Sequence, residues 1–342
     1  MAAQLIDLVE QGTDPLIDGF NRKIEYLRIS VTDRCNLRCV YCMPEAGLPW
    51  IPKPEILTYE EIAQIVEAAA ALGVRSVRLS GGEPLVRRDL ARLVARLARI
   101  DGIEDIALST NGLLLAQRAA ELAQAGLDRV NVSLDTLQQD RFLAIARRPG
   151  LGAVLEGIDA ALSRGLAPVK INCVVMRGRN DDEVAAFARL TCERPVFVRF
   201  IEVMPVAENV GVQREAYVSS DEVLERIRAA GTPIEPAAGP GGNGPATYYA
   251  FPGAPGAFGV ITPLSHDYCE RCNRVRLTAD GRLRLCLFGN HHVDLRGPVR
   301  AGASRAELGA LLGAAMAIKP ERHHLRLGET ASAMRAFSEI GG

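Results

Sequence analysis

The chain lacks the features that mark several large classes of protein. No run approaches the roughly 20 consecutive apolar residues that a bilayer-spanning helix needs. The opening MAAQLIDLVEQGTD has neither the basic nor the apolar region of a secretory leader. The reading is therefore a soluble, cytoplasmic protein with no membrane partner. An excess of one charge is also missing: 40 Lys and Arg stand against 41 Asp and Glu, for a net charge of −1. That balance excludes broad electrostatic adhesion to nucleic acid, so any anion site must be local. Lysine is scarce, with only Lys23, Lys53, Lys170 and Lys319 among the basic residues; the rest are arginines, whose planar fork suits phosphate. Eight cysteines, clustered rather than spread, are too few for a disulfide scaffold and point to metal binding or catalysis. No G-x4-G-K-[ST] motif is present, which excludes a phosphate-cradling loop of that kind.

What is present is an alternation. The chain has 342 residues, 48% of them hydrophobic, enough for one barrel-sized domain or two smaller ones. From residue 24 to about 230, short β-branched runs alternate with longer helical patterns, the signature of repeated βα units and a parallel sheet. Strands are expected at 25–31, 74–79, 104–109, 129–134, 168–175 and 196–202. Helices are expected at 59–72, 88–99, 113–125, 136–146, 151–164, 180–190, 220–229 and, late in the chain, 304–317. The pairs Thr58-x-x-Glu61 and Ser219-x-x-Glu222 predict capping boxes. The fold class is α/β, an incomplete six-stranded (βα) barrel with a smaller C-terminal region. A Pro- and Gly-rich stretch, 231–257, breaks the alternation and places a boundary there. The division is an N-terminal extension at 1–20, the barrel at 21–235 and a C-terminal region at 236–342.

Polar residues collect where the strands end, at the face on which βα barrels carry their chemistry. Ser80 to Glu83 follow the second strand, Thr110 to Gly112 the third, Ser133 and Asp135 the fourth, and Glu202 and Met204 the sixth. They should converge on one mouth, with Asn111 and Gly112 read as turn residues. Within the fifth strand Lys170 and Asn172 share a face by the period of two, so an apolar barrel would hold a charged interior patch.

Cys35, Cys39 and Cys42 form C-x3-C-x2-C directly after the first strand. Three thiolates suit an iron–sulfur cluster or zinc, and a structural zinc usually takes a fourth protein ligand, absent nearby. The run SVTDRCNLRCVYCMP resembles the radical S-adenosylmethionine (SAM) enzymes, down to the aromatic Tyr41 before the last Cys. The resemblance implies a [4Fe–4S] cluster whose open iron chelates SAM, giving a 5′-deoxyadenosyl radical on reduction. Gly81-Gly82-Glu83-Pro84 matches the next element, which in that superfamily holds the SAM amino group.

A second set, Cys269-x2-Cys272-x13-Cys286, leaves zinc open on spacing alone, because His266, His291 or His292 could complete it. Together with NRVRLTADGRLRLC, PLSH and a Gly-Gly terminus, the two sets resemble the GTP 3′,8-cyclase family of molybdenum cofactor biosynthesis. The resemblance covers about Gly19 to Gly342 and implies a second [4Fe–4S] cluster with an iron open to substrate. By position it puts Tyr41, Gly82, Ser133 and Met204 at SAM. Arg28, Arg78, Thr110, Lys170, Arg199, Arg274, Val275 and Arg276 fall at GTP, with Arg274, Arg276, Gly341 and Gly342 serving catalysis. The implied reaction gives (8S)-3′,8-cyclo-7,8-dihydro-GTP after abstraction of the 3′ hydrogen. The implied partners are an electron donor, the next enzyme of the pathway, cyclic pyranopterin monophosphate synthase, and a second copy in a homodimer. Ser76 departs from the family, where a basic residue is common, and Asn21 stands where Gly is common. Cys173 and Cys192 match no ligand position and are expected to be buried. The rivals are a radical SAM enzyme acting on peptides and a zinc-stapled binding module.

Overall fold

A computed structural model describes residues 15–204, 215–241 and 244–323. All six expected strands are present: β1 (Tyr26–Ser30), β2 (Ser76–Ser80), β3 (Asp105–Thr110), β4 (Arg129–Ser133), β5 (Val169–Val175) and β6 (Val196–Glu202). They pair in sequence order, each parallel to the next. Branched residues explain why. Ile29, Val77, Val130, Val132 and Val198 are fully buried between the sheet and its helices, as expected of a parallel sheet covered on its outer face.

The covering helices lie close to expectation. Helix Tyr59–Ala71 opens with both halves of the Thr58–Glu61 capping box and buries Ile62, Ile65 and Val66 against the sheet. Such a cap contributes about 1 kcal/mol. The second expected box forms only in part: the Ser219 side chain accepts from the Glu222 N–H, but the Glu222 carboxylate is held by Arg177 and Arg226 instead of reaching back. Two charged partners outcompete one backbone amide.

The Pro- and Gly-rich stretch does more than mark a boundary. It carries β7 (Glu235–Ala237), which pairs antiparallel with β8 (Thr247–Ala250), and β8 in turn pairs antiparallel with β9 (Ala257–Ile261). Strand β9 in turn pairs parallel with β6. At the other edge β10 (Arg274–Leu277) pairs parallel with β1, followed by antiparallel β11 (Arg282–Arg284) and β12 (His292–Asp294). The result is one sheet of twelve strands in the order β12-β11-β10-β1-β2-β3-β4-β5-β6-β9-β8-β7. β1 and β6 do not pair with each other, so the six-stranded core stays open. The stretch 262–273, which holds Cys269 and Cys272, links the extension on β6 to the extension on β1.

Two local findings bear on the sequence reading. Asn21 has φ of 61°, a left-handed conformation that glycine adopts freely and asparagine tolerates. Cys173 is buried, but Cys192 is exposed. It stands near the end of helix Val184–Glu193, away from the face formed by Val184, Phe187, Ala188 and Thr191.

Candidate active site

Residues following or ending all six parallel strands line one cavity of about 180 Å3. Cys35, Cys39, Cys42 and Tyr41 come from the loop after β1, Gly81 and Gly82 from the loop after β2, Thr110 and Asn111 from the end of β3. Ser133, Asn172, Glu202 and Met204 complete it. The four positions expected at SAM are thus brought together. Why the loops meet is legible in the two glycines. The Gly82 N–H donates to the Thr32 carbonyl at 2.9 Å and the Glu83 N–H to the Arg34 carbonyl at 2.8 Å. A Cβ on Gly81 would strike the Thr32 carbonyl, and one on Gly82 the Arg34 carbonyl. The glycines therefore let this loop lie flat against the cysteine loop.

Glu83 is fully buried and serves as a knot between loops. Its carboxylate accepts from the Leu85 N–H, the Thr110 hydroxyl and the Asn111 N–H at 2.6 to 2.9 Å. Burial pushes its pKa up to about 7 despite those bonds. Asn111, read from sequence as a turn residue, does more than turn the chain: its side-chain amide donates to Asn36 at 2.7 Å and lies 3.9 Å from the Cys35 sulfur. Gly112 keeps the turn role, with φ of 83°. Asp135, expected at the mouth from sequence but given no role there, does line the cavity. Its carboxylate accepts from the Tyr41 hydroxyl at 2.8 Å and the Val174 N–H at 2.9 Å, and burial lifts its pKa to about 6. Its place two residues beyond Ser133 on a strand end was the available signal.

Below this cavity the sheet's inner face is cationic. Strand register sets Arg276, Arg28 and Arg78 side by side on β10, β1 and β2. Lys170 and Arg199 add to them from β5 and β6, both nearly inaccessible. These charges are expensive to bury together. Arg28 and Arg78 are lowered to about 9, by burial first and then by other arginines, with only Tyr26 opposing. Arg276 falls to about 10 for the same reasons. Lys170 falls furthest, to about 6, through burial and then Arg199, Arg129 and Arg78. Its Nζ donates, among the described residues, to the carbonyls of Pro240 and Gly241, at 3.3 and 3.2 Å, so the Pro-rich stretch enters the chamber. Arg199 Nε donates to Asn172 at 2.8 Å. A chamber so charged is suited to a polyanion.

The second cysteine set also comes together. Cys269, Cys272 and Cys286 line a smaller cavity of about 40 Å3 with Tyr268, Arg274, Arg276 and His323. Arg274 and Arg276 share a face as the period of two requires, and Arg274 lies over the rings of Tyr26 and Tyr268. Val275, expected at the nucleotide, instead turns its side chain into the core, 2% exposed, so its backbone alone can face the chamber. None of the histidines weighed as zinc ligands lines the cavity: His266 contacts Asp221, and His292 contacts Arg282 and the Asn290 carbonyl. His323, which sequence reasoning did not weigh, does line it, edge-on to Phe288. Among the described residues no three His, Cys, Asp or Glu side chains gather into a site for a single metal ion. Gly341 and Gly342 lie outside the described residues.

Comparison with known proteins places this geometry. Residues 29–191 match the Radical SAM superfamily, and residues 196–325 match Molybdenum Cofactor Synthesis C. The chain is 53% identical to the GTP 3′,8-cyclase of Pelotomaculum thermopropionicum, over 95% of this chain and 99% of that one. It is 49% identical to the GTP 3′,8-cyclase of Moorella thermoacetica over the same shares. In fold it is similar to Streptococcus suis SuiB bound to S-adenosylmethionine, with a TM-score of 0.57 at 14% identity, covering 86% of this chain and 67% of that one. No helix among the described residues is long and apolar enough to cross a membrane. The cysteine loop and its glycines lie in the first matched region and the second cysteine set in the second, and with relatives about half identical over nearly the whole length, the chain belongs to the GTP 3′,8-cyclase family of radical SAM enzymes.

Proposed function

We propose that this chain converts GTP to (8S)-3′,8-cyclo-7,8-dihydro-GTP with two [4Fe–4S] clusters, one at Cys35, Cys39 and Cys42 and one at Cys269, Cys272 and Cys286. Both sets fit such a group: each presents three thiols to one cavity, and the glycines at 81 and 82 clear the first of side chains. With SAM bound, the first cluster supplies the radical chemistry that removes the 3′ hydrogen. Tyr41, Gly82, Ser133 and Met204 border the space for SAM. Arg28, Arg78, Lys170, Arg199, Arg274 and Arg276 hold the triphosphate and guanine between the two cavities, with Thr110 near the join. The work of the protein is to fix the distance between the reacting groups and exclude water.

The observation that carries this reading is the row of mutually repelling buried cations on the inner face of the sheet whose strand ends carry the first cysteine cavity, which a nucleoside triphosphate would neutralise. We further propose that the chain divides at about residue 235 into barrel and C-terminal region, takes electrons from an external donor, passes its product to cyclic pyranopterin monophosphate synthase, and forms a homodimer. We also propose a role in cyclisation for Gly341 and Gly342, which the family resemblance singles out. Deleting the pair should leave both clusters and SAM binding intact while cyclisation falls at least about tenfold, near 1.4 kcal/mol in barrier.

The main reading is tested by anaerobic reconstitution, followed by incubation with SAM, GTP and a reductant and by identification of the nucleotide product. The cyclised nucleotide together with 5′-deoxyadenosine supports it. SAM cleavage with GTP recovered unchanged would overturn the substrate assignment.

A further inference from the structure

The row of arginines that runs through β10, β1 and β2 continues further. Register sets Arg78 beside Ala107 on β3, and Ala107 beside Arg129 on β4. Four of the five positions in this row, Arg276, Arg28, Arg78 and Arg129, are therefore arginine, and the fifth has a side chain too small to fill the space between its neighbours. Along β4 the period of two puts Arg129 on the face of Asn131 and Ser133, while Val130 and Val132 enter the core. Ser133, four residues beyond Arg129, borders the cavity that holds the first cysteine set.

Arg129 is almost fully buried, its side chain 5% exposed. Asp105 on β3 accepts from Nε at 2.5 Å and from Nη2 at 2.5 Å, which fixes the guanidinium plane. The remaining nitrogen, Nη1, is buried and has no hydrogen-bond partner among the described residues. Buried donors are almost always satisfied, and exceptions mark strain or an absent ligand. The guanidinium also acts electrostatically on Tyr26, Arg78, Lys170, Arg199 and Tyr248, all on strands facing the chamber. Burial pulls its own pKa down, but the Asp105 carboxylate outweighs that and leaves it raised. Its charge is thereby stabilised, whereas burial and like charges work against the charge of its neighbours. Ser76, opposite Asp105 in register, brings no competing charge.

We propose that Arg129 is a further substrate-binding residue whose Nη1 donates to a phosphate oxygen of the nucleotide, with Asp105 as the positioning residue that aims it. The assignment rests on the GTP reading above. Its test uses the reconstituted full chain and compares dissociation constants for GTP and guanosine in the wild type, Arg129→Met, Arg129→Lys and Arg129→Met with Asp105→Asn. The expected result is a loss of at least about tenfold for GTP in Arg129→Met, with guanosine changed less than about twofold. Arg129→Lys, which keeps the charge without the fork, should lie between. The double variant removes the unpaired carboxylate that the single variant leaves, so an equal loss in GTP affinity there assigns the effect to the lost phosphate contact. Equal losses for GTP and guanosine in every variant that folds, or unchanged GTP binding in Arg129→Lys, would overturn the proposal. Failure of the wild type to prefer GTP over guanosine would instead overturn the nucleotide reading itself.

Discussion

The two three-cysteine regions are built from different material and differ in the charges that dominate around them. The first comes from one short loop, with Asn36, Asn111 and Arg38 beside it and the carboxylates of Asp135 and Glu202 around the same cavity. Burial raises the thiols of Cys35 and Cys39, and Glu83 and Asp135 add to the effect. The second is assembled from four distant parts of the chain. Arg22 donates to the carbonyls of Cys269 and Pro320 at 2.8 and 2.7 Å, and Lys319 Nζ lies 3.6 Å from the Cys272 sulfur. Burial alone would raise Cys272, yet Lys319 and Arg274 outweigh it and the thiol is lowered. The difference matches what each region would face. A sulfonium cation suits carboxylate-lined walls, and a triphosphate suits walls of arginine and lysine. On the proposed function, each set of surroundings would therefore complement the small molecule assigned to it.

The sharpest break separates the two regions outright. Replacing Cys35, Cys39 and Cys42 with Ala should reduce SAM cleavage to background. Replacing Cys269, Cys272 and Cys286 should leave SAM cleavage measurable but abolish cyclisation. Either triple should lower iron from about eight to about four per chain; iron of about four with stoichiometric zinc in the wild type would return the second set to a structural role. A smaller effect is expected from the cationic side alone. Arg274→Ala and Arg276→Ala should each weaken GTP binding by roughly 1.5 to 3 kcal/mol, the range for a lost charged hydrogen bond, while SAM affinity stays constant. Calorimetric titration with both ligands checks the asymmetry.

The smallest effect is a pH slope. Without a bound anion Lys170 titrates near 6, and a triphosphate beside it would raise that value. Between about pH 6 and the raised value, binding then takes up a proton, so GTP affinity falls as pH rises, by at most about tenfold per pH unit. Below pH 6 the lysine is already protonated and the slope disappears. Lys170→Met should remove the slope, and SAM binding should show none in either protein.

How much of this could be read from the residues follows the same division. β1 to β6 and their helices were legible because β-branched runs and helical periods are local patterns. The first cysteine set was legible because its ligands lie within one loop. The second was ambiguous by spacing, since Lys319 and Arg22, which set its electrostatics, are brought in only by folding. β7 and β8 were missed because strands of three and four residues in a Pro- and Gly-rich stretch owe their form to pairing with β9 and not to propensity. The fate of Val275 followed from alternation once Arg274 and Arg276 were placed inward, and Asn111 was underread because its partners Asn36 and Cys35 belong to another loop. Arg129 looked like any strand residue, and only the register across three neighbours sets it in line with Arg78 and Arg28.

The stretch 262–273 can be considered as a tether of fixed length. One of its ends is tied to the strand beside β6 and the other to the strand beside β1, so it runs across the gap in the open core. A fully extended chain reaches about 3.3 to 3.6 Å per residue, which limits how far those two sides can separate to roughly 40 Å. Anchoring Cys269 and Cys272 to a common cluster withdraws part of that length from free motion. The entropy gained is modest, about 0.6 kcal/mol for each halving of a flexible loop, but it acts on the width of the chamber's opening. Iron loading at the second set would thereby restrain how far the two sides can part, and an insertion between Ile261 and Cys269 would relax that restraint without touching a single ligand.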